Sequence, residues 1–250
     1  VMEYDGGAKK KIALIGKGIT FDSGGLDLKT DEGMLTMKCD MTGAAVVIAT
    51  LRAAAELKLK ANLIGVFAST ENMPGMDAYK PGDVVKTYSG KTIEIANTDA
   101  EGRVILSDAL AYTEKNLKPD VMIDLATLTG ACVVALGSVC AGVMGKDKAV
   151  VDRLVSSGVA TGERVWELPF YREYHDQVKS EIADLRNLGM FRREAGAITA
   201  GAFLAAFVGK TPWAHLDIAG TSWSDIETEY IKKGGTGFGV RLLIHAIENW

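Results

Sequence analysis

Seven side chains concentrate the chemical potential of this 250-residue sequence. They are Lys17 and Asp22 in the run GKGITFDSGG, Lys29 shortly after it, Asp40 in MKCDM, and Asp99, Glu101 and Arg103 in NTDAEGR. Asp22, Asp40, Asp99 and Glu101 bring four negative charges, which would cancel two divalent cations, whereas four unpaired carboxylates crowded together would repel one another. Two carboxylates two residues apart, on a loop entering a helix, also present oxygen donors compactly to hard cations. The set points to metal-assisted hydrolysis.

Each residue also has a simpler reading. Asp22-Ser23-Gly24-Gly25 is made of turn-favouring residues. Thr98 and Glu101 have the spacing of a capping box for the helix that follows, although capping leaves Asp99 and Arg103 unexplained. Asp40, ahead of an Ala-rich helix, is a natural N-cap, and Lys29 and Arg103 taken singly are ordinary surface charges. Competing machineries fare worse. The sequence has no His-Glu-x-x-His, and His175, His215 and His245 are widely separated. No Gly-x-Ser-x-Gly elbow supplies a serine nucleophile. Cys132 and Cys140 lie in an apolar run without a basic neighbour to lower a thiol pKa. Gly16 and Gly18 open like a dinucleotide fingerprint but lack the third glycine, and Lys17 is followed by Gly18, unlike a phosphate-binding loop.

The elements that must position these residues alternate in kind. Strands are expected at 11–15, 62–69, 84–87, 92–95, 121–125, 139–144 and 213–218. Helices are expected at 43–57, 102–115, 130–136, 149–158, 194–208 and 239–249. Such alternation predicts an α/β fold: a single three-layer domain over residues 1–250, with a mixed, mostly parallel central sheet and helices on both faces. Reactive loops then gather at the carboxyl ends of the strands, with Lys17 and Asp22 expected just after the first strand. The uncharged stretch Leu125–Gly145 is broken by glycines and reads as core rather than as a membrane span. A net charge of -4 with no basic tract argues against a nucleic-acid surface. Three cysteines suit a reducing, cytoplasmic compartment.

GKGITFDSGG, Leu28-Lys29, MKCDMTGAA, NTDAEGR, LATLTGA, WAHLDIAGT and GGTGFGVRLL together resemble the catalytic domain of the leucyl aminopeptidase family of dinuclear metallopeptidases. The resemblance implies an aminopeptidase of peptide catabolism that releases apolar, leucine-like residues from peptides with a free amino terminus. A dipeptidase or other dinuclear amide hydrolase, or a silent binding module, is the alternative. It implies two divalent ions, manganese or zinc, with magnesium or cobalt also acceptable. Asp22 and Glu101 would bridge them, Asp99 would bind one, and Lys17, as a neutral amine, and Asp40 the other. Lys29 would polarise the scissile carbonyl, and Arg103 would hold a bicarbonate serving as general base. Met37, Thr127, Leu128 and Gly130 would line the site, with Ala219 to Trp223 shaping the side-chain pocket. The family's usual amino-terminal domain is expected to be absent from this chain, and a homo-hexamer is expected, with no membrane or nucleic-acid partner.

Overall fold

A run such as Ile12-Ala13-Leu14-Ile15 offers apolar side chains to both faces of a strand, so the sheet it joins must be covered on both sides. That requirement is met in a computed structural model of the chain, which describes residues 1–191 and 193–250. The first half comprises β1 (Met2–Asp5), β2 (Lys11–Asp22), α1 (Asp31–Met34), α2 (Thr42–Glu56), β3 (Asn62–Asn72), β4 (Val84–Lys86), β5 (Thr92–Glu94), α3 (Glu101–Tyr112) and β6 (Val121–Ala126). Then come α4 (Gly130–Leu136), β7 (Ala141–Gly145), α5 (Lys148–Thr161), β8 (Val165–Glu167), α6 (Arg172–Asp176), β9 (Leu185–Arg186) and α7 (Gly196–Ala205). The chain finishes with β10 (Trp213–Asp217), β11 (Trp223–Ser224), β12 (Gly234–Gly235) and α8 (Val240–Glu248).

The central sheet has the order β1-β3-β2-β6-β10-β7-β8. Strands β3, β2, β6 and β10 run parallel, while β1 and β7 are antiparallel to their inner neighbours. On one face Ile12, Leu14, Ile123 and Leu216 meet Val47 and Leu51 of α2, Leu154 of α5 and Leu242 of α8. On the other, Ala13, Ile15, Met122 and Trp213 meet Leu106 and Leu110 of α3 and Phe203 and Leu204 of α7. The expected three-layer α/β architecture is the one observed.

Two differences from the expectation bear on the site. Strand β2 does not stop at Ile15 but continues to Asp22, so Lys17 lies within the strand rather than beyond it. Gly16 and Gly18, which open like a dinucleotide fingerprint, serve close backbone approach instead. A Cβ on Gly16 would lie 2.5 Å from the carbonyl carbon of Gly43, and one on Gly18 would lie 2.5 Å from the carbonyl oxygen of Ala68. The second difference is at the end of the 102–115 helix, where α3 gives way to a wider π-type turn over Thr113–Leu117 and closes on Lys118 in the left-handed region, φ 48°.

The connectivity also fixes where a site can form. From β2 the chain passes through α2 to β3 on one side, then through α3 to β6 on the other side of β2. The loops leaving β2 and β6 therefore diverge and leave a crevice at the carboxyl ends of the parallel strands.

Candidate active site

Asp22, the last residue of β2, is locked by two donors: its Oδ1 accepts from the Gly24 amide at 2.9 Å and from Asn72 Nδ2 at 2.8 Å. Gly24 and Gly25, at φ 88° and 67°, turn the chain back on itself. That reversal lets the Lys29 amide donate to the Ser23 carbonyl at 2.9 Å. The Lys29 ammonium then lies 2.8 Å from Asp22 Oδ2 and 2.5 Å from Asp99 Oδ1.

Lys17 forms the second half of the cluster. Its Nζ lies 2.7 Å from Asp40 Oδ2 and 2.8 Å from Glu101 Oε1, and donates to the Thr127 carbonyl at 3.0 Å. Asp40 ends a 3-10 turn over Met37–Cys39, and its Oδ1 accepts from Thr127 Oγ1 at 2.7 Å. The two capping readings therefore do not hold, whereas the Asp22-to-Gly25 turn does. The N-cap of α2 is Met41, which makes no side-chain cap, so Asp40 is free for Lys17. The N-cap of α3 is Ala100, also without a side-chain cap. Thr98 instead donates to the Gly24 carbonyl at 2.6 Å and accepts from the Asp27 amide at 2.8 Å, fastening the Asp99 loop to the Lys29 loop.

The structure thus brings all five sequence-designated ligand residues together. One carboxylate oxygen from each of Asp22, Asp99 and Glu101 lies within 4.8 Å of the others, and Asp40 joins them through Lys17. Lys17 is 3% exposed, Asp22 2%, Asp40 3% and Glu101 4%. Burial, with the nearby Glu101 carboxylate adding to it, pushes Asp40 up to about 7 against the opposing pull of Lys17. Burial also pushes Asp99 up to about 6, with Asp22 and Glu101 adding to it and Lys29 opposing. Burial works against the Lys17 ammonium, yet Asp40 and Glu101 outweigh it and raise the pKa well above that of a free lysine. Lys29 is raised by its two carboxylate partners in the same way, again against burial.

The donor set fits divalent cations. Asp40 and Asp99 remain undercompensated by their lysines, and Glu101 Oε2 is buried without a hydrogen-bond partner among the described residues. An acceptor left bare in a dry site is costly unless something else occupies its lone pairs. Hard oxygen donors at this spacing are suited to manganese, magnesium or zinc.

A cavity of about 250 Å³ opens onto the cluster, and Met37, Thr127, Leu128 and Gly130 line it, together with Ala219 and Ser222. Trp223 is not among its lining residues. The indole is tied to Asp225 at 3.0 Å and faced by Lys38. Arg103 is 5% exposed and stands behind the wall, donating from Nη1 to the Asn187 carbonyl at 2.8 Å, while its Nε has no partner among the described residues. Burial lowers its pKa to about 10, with the Glu101 and Asp217 carboxylates opposing.

Three supporting residues escaped the sequence reading: Asn72, Asn187 and Asp217. Asp217 accepts from the Leu128 and Thr129 amides at 3.3 and 3.4 Å and from Thr129 Oγ1 at 2.6 Å, and so holds the loop after β6. It lay within the HLDIAG run, but nothing in the spacing linked it to a loop 88 residues away.

Comparison with known proteins bears on the same region. Residues 1–244 match the family described as the cytosol aminopeptidase family, catalytic domain. A probable cytosol aminopeptidase of Geobacter sulfurreducens is 57% identical over 250 residues, covering 99% of this chain and 50% of the relative. Those of Chlorobaculum parvum, 53% identical over 253 residues, and Cenarchaeum symbiosum, 52% over 248, cover 100% and 97% of this chain and 50% and 51% of themselves. The chain spans about half the length of the curated relatives it matches.

Proposed function

The chain belongs to the cytosol aminopeptidase family, and from that premise we propose that it is a metal-dependent aminopeptidase catalytic domain. It acts on peptides with a free amino terminus and favours an apolar, leucine-like first residue. The observation that carries the reading is the convergence of the Asp22, Asp99 and Glu101 carboxylates, with the Lys17–Asp40 pair joined to them, at one cavity lined by Lys17, Asp22, Asp40 and Asp99.

In this reading Asp22, Asp99 and Glu101, together with Asp40 and a neutral Lys17, would hold two divalent ions, manganese or zinc, with magnesium or cobalt also suited. When bound, such ions polarise a carbonyl and make water a competent nucleophile near neutral pH. The residues of the chain do the rest. Lys17 would serve such ions as a neutral amine donor, held in place by Asp40, Glu101 and the Thr127 carbonyl. Lys29, oriented by Asp22 and Asp99, keeps its charge and stabilises the negative oxygen that develops on the scissile carbonyl. Arg103, whose buried Nε has no partner among the described residues, would hold a bicarbonate that accepts and returns a proton, which requires its guanidinium to reach past the wall that Asn187 now keeps it behind. Asp217 keeps Thr127 to Gly130 in place so that, with Met37 and Ala219, they seat the first side chain.

In this reading the protein works in the cytoplasm as a homo-hexamer. The test compares leucine amide with N-acetyl-leucine amide on chelator-treated protein before and after manganese or zinc is restored. Metal-restored hydrolysis of the free amine alone is expected. Equal rates on both substrates, or activity indifferent to metal, would refute the reading.

A further inference from the structure

Asn187 makes no contact with the cavity, yet it is fully buried and each polar atom of its carboxamide has two backbone partners. Its Oδ1 accepts from the Ala96 amide at 2.8 Å and the Asn97 amide at 3.3 Å. Its Nδ2 donates to the Asn97 carbonyl at 2.7 Å and the Ala100 carbonyl at 3.3 Å. Those neighbours fix which way the amide faces, because only one orientation puts the oxygen against two N–H groups and the nitrogen against two carbonyls. Its own amide donates to Glu94 O at 3.0 Å, and its carbonyl accepts from Arg103 Nη1 at 2.8 Å.

These six bonds are all directed at one stretch of chain. Residues 96–100 form an irregular loop with Asp99 at its end, and Glu101 and Arg103 follow in the first turn of α3. No side chain caps that helix. The backbone of the loop depends instead on a residue 84 to 91 positions away in sequence, which also orients the Arg103 guanidinium. We propose that Asn187 is a positioning residue of the hydrolytic site: it sets the loop bearing Asp99 and Glu101 and the side chain of Arg103 as one unit, and so tunes metal affinity and turnover together. This rests on the proposed aminopeptidase reading.

The choice of substitution follows from the bonds. Asn187→Asp keeps the shape and the acceptor facing Ala96 and Asn97 but sets a carboxylate oxygen against the Asn97 and Ala100 carbonyls. Asn187→Ser removes the bridge without adding charge and serves if the first variant does not fold. Glu114→Gln is the control for destabilisation alone. Glu114 staples Gly209 and Thr211 with bonds of 2.6 to 3.0 Å and takes no part in the site.

Manganese affinity is measured by calorimetric titration, and leucine amide kinetics are measured at saturating metal, for the wild type and each variant. Loss of an outer support of this kind costs about 10–100-fold in metal affinity or activity. The Asn187 variants should therefore bind manganese about 10–100-fold more weakly and show a lower kcat with KM changed little, while Glu114→Gln loses thermal stability and keeps both. Asn187 variants that melt lower but retain wild-type manganese affinity and kcat would overturn the proposal and leave the aminopeptidase reading intact. A wild type that neither binds manganese nor cleaves leucine amide would overturn both.

Discussion

Replacing Lys17 with methionine tests how the buried charges are balanced. The Lys17 ammonium is the counter-ion of two buried carboxylates, at 2.7 Å from Asp40 and 2.8 Å from Glu101, and it also donates to the Thr127 carbonyl. Methionine matches the length of the side chain and removes the charge, so Asp40 and Glu101 are left facing each other in a dry site. Breaking a buried ion pair from one side costs about 3–5 kcal/mol, because the remaining charge is uncompensated. For a domain of this size each kcal/mol shifts the melting temperature by about 2–4 °C, giving an expected fall of about 6–20 °C in chelator. Linkage has a definite sign here. Because the Lys17 pKa is raised in the fold, its stabilisation is fully present below the free-lysine pKa and is lost only as pH rises through the folded value, so at neutral pH the wild type has all of it and the substitution should remove all of it. Manganese should recover much of it, since a dication replaces the missing positive charge, whereas leucine amide hydrolysis should not return because a donor is gone. The assay is scanning calorimetry at pH 7 in chelator and in manganese, alongside initial rates. A Lys17→Met protein that melts like the wild type in chelator would refute the argument that Lys17 balances this site.

Three further expectations follow from the geometry. Lys29→Ala should retain two metals by elemental analysis yet lose turnover by about 100-fold or more, the scale set by removing one preorganised oxyanion donor; loss of metal instead would remove its assigned role. Gly102→Ala should act on Lys17 at close range, because the added Cβ would fall 2.5 Å from Lys17 Cε and 2.8 Å from its Nζ; calorimetry should show weakened manganese binding, and unchanged affinity would contradict the packing described. His215 is fully buried with Nδ1 at 2.6 Å from Asp124 Oδ1, while Trp213 Nε1 donates to Asp124 Oδ2 at 2.7 Å. Burial opposes the imidazolium, but Asp124 outweighs it and the pKa is raised. The pair's stabilisation is therefore full below the free-histidine pKa of about 6.5 and fades as pH rises through the higher folded value. Asp124→Asn should accordingly shift the urea midpoint more at pH 5.5 than at pH 9, and an equal shift at both would show that His215 does not carry the charge.

The sequence by itself determined the chemistry available and the layer architecture. The residue types in GKGITFDSGG, MKCDM and NTDAEGR are those that hard cations need, and apolar runs such as Ile12 to Ile15 require a sheet covered on both faces. Local patterns misled where a nearer explanation existed. Thr98 and Glu101 are spaced as a capping box and Asp40 as an N-cap, but tertiary partners took each of them: Gly24 and Asp27 for Thr98, and Lys17 for the two carboxylates. The glycines on either side of Lys17 open like a dinucleotide fingerprint and are contact points between backbones. Asn72, Asn187 and Asp217 left no signal because their partners lie 26 to 91 residues away in sequence. The physical reason is common to all of these. A polar side chain in water has no need of a particular partner, and only when the fold removes the water does each buried donor and acceptor have to find one, so that tertiary structure alone decides which residues hold the site in place.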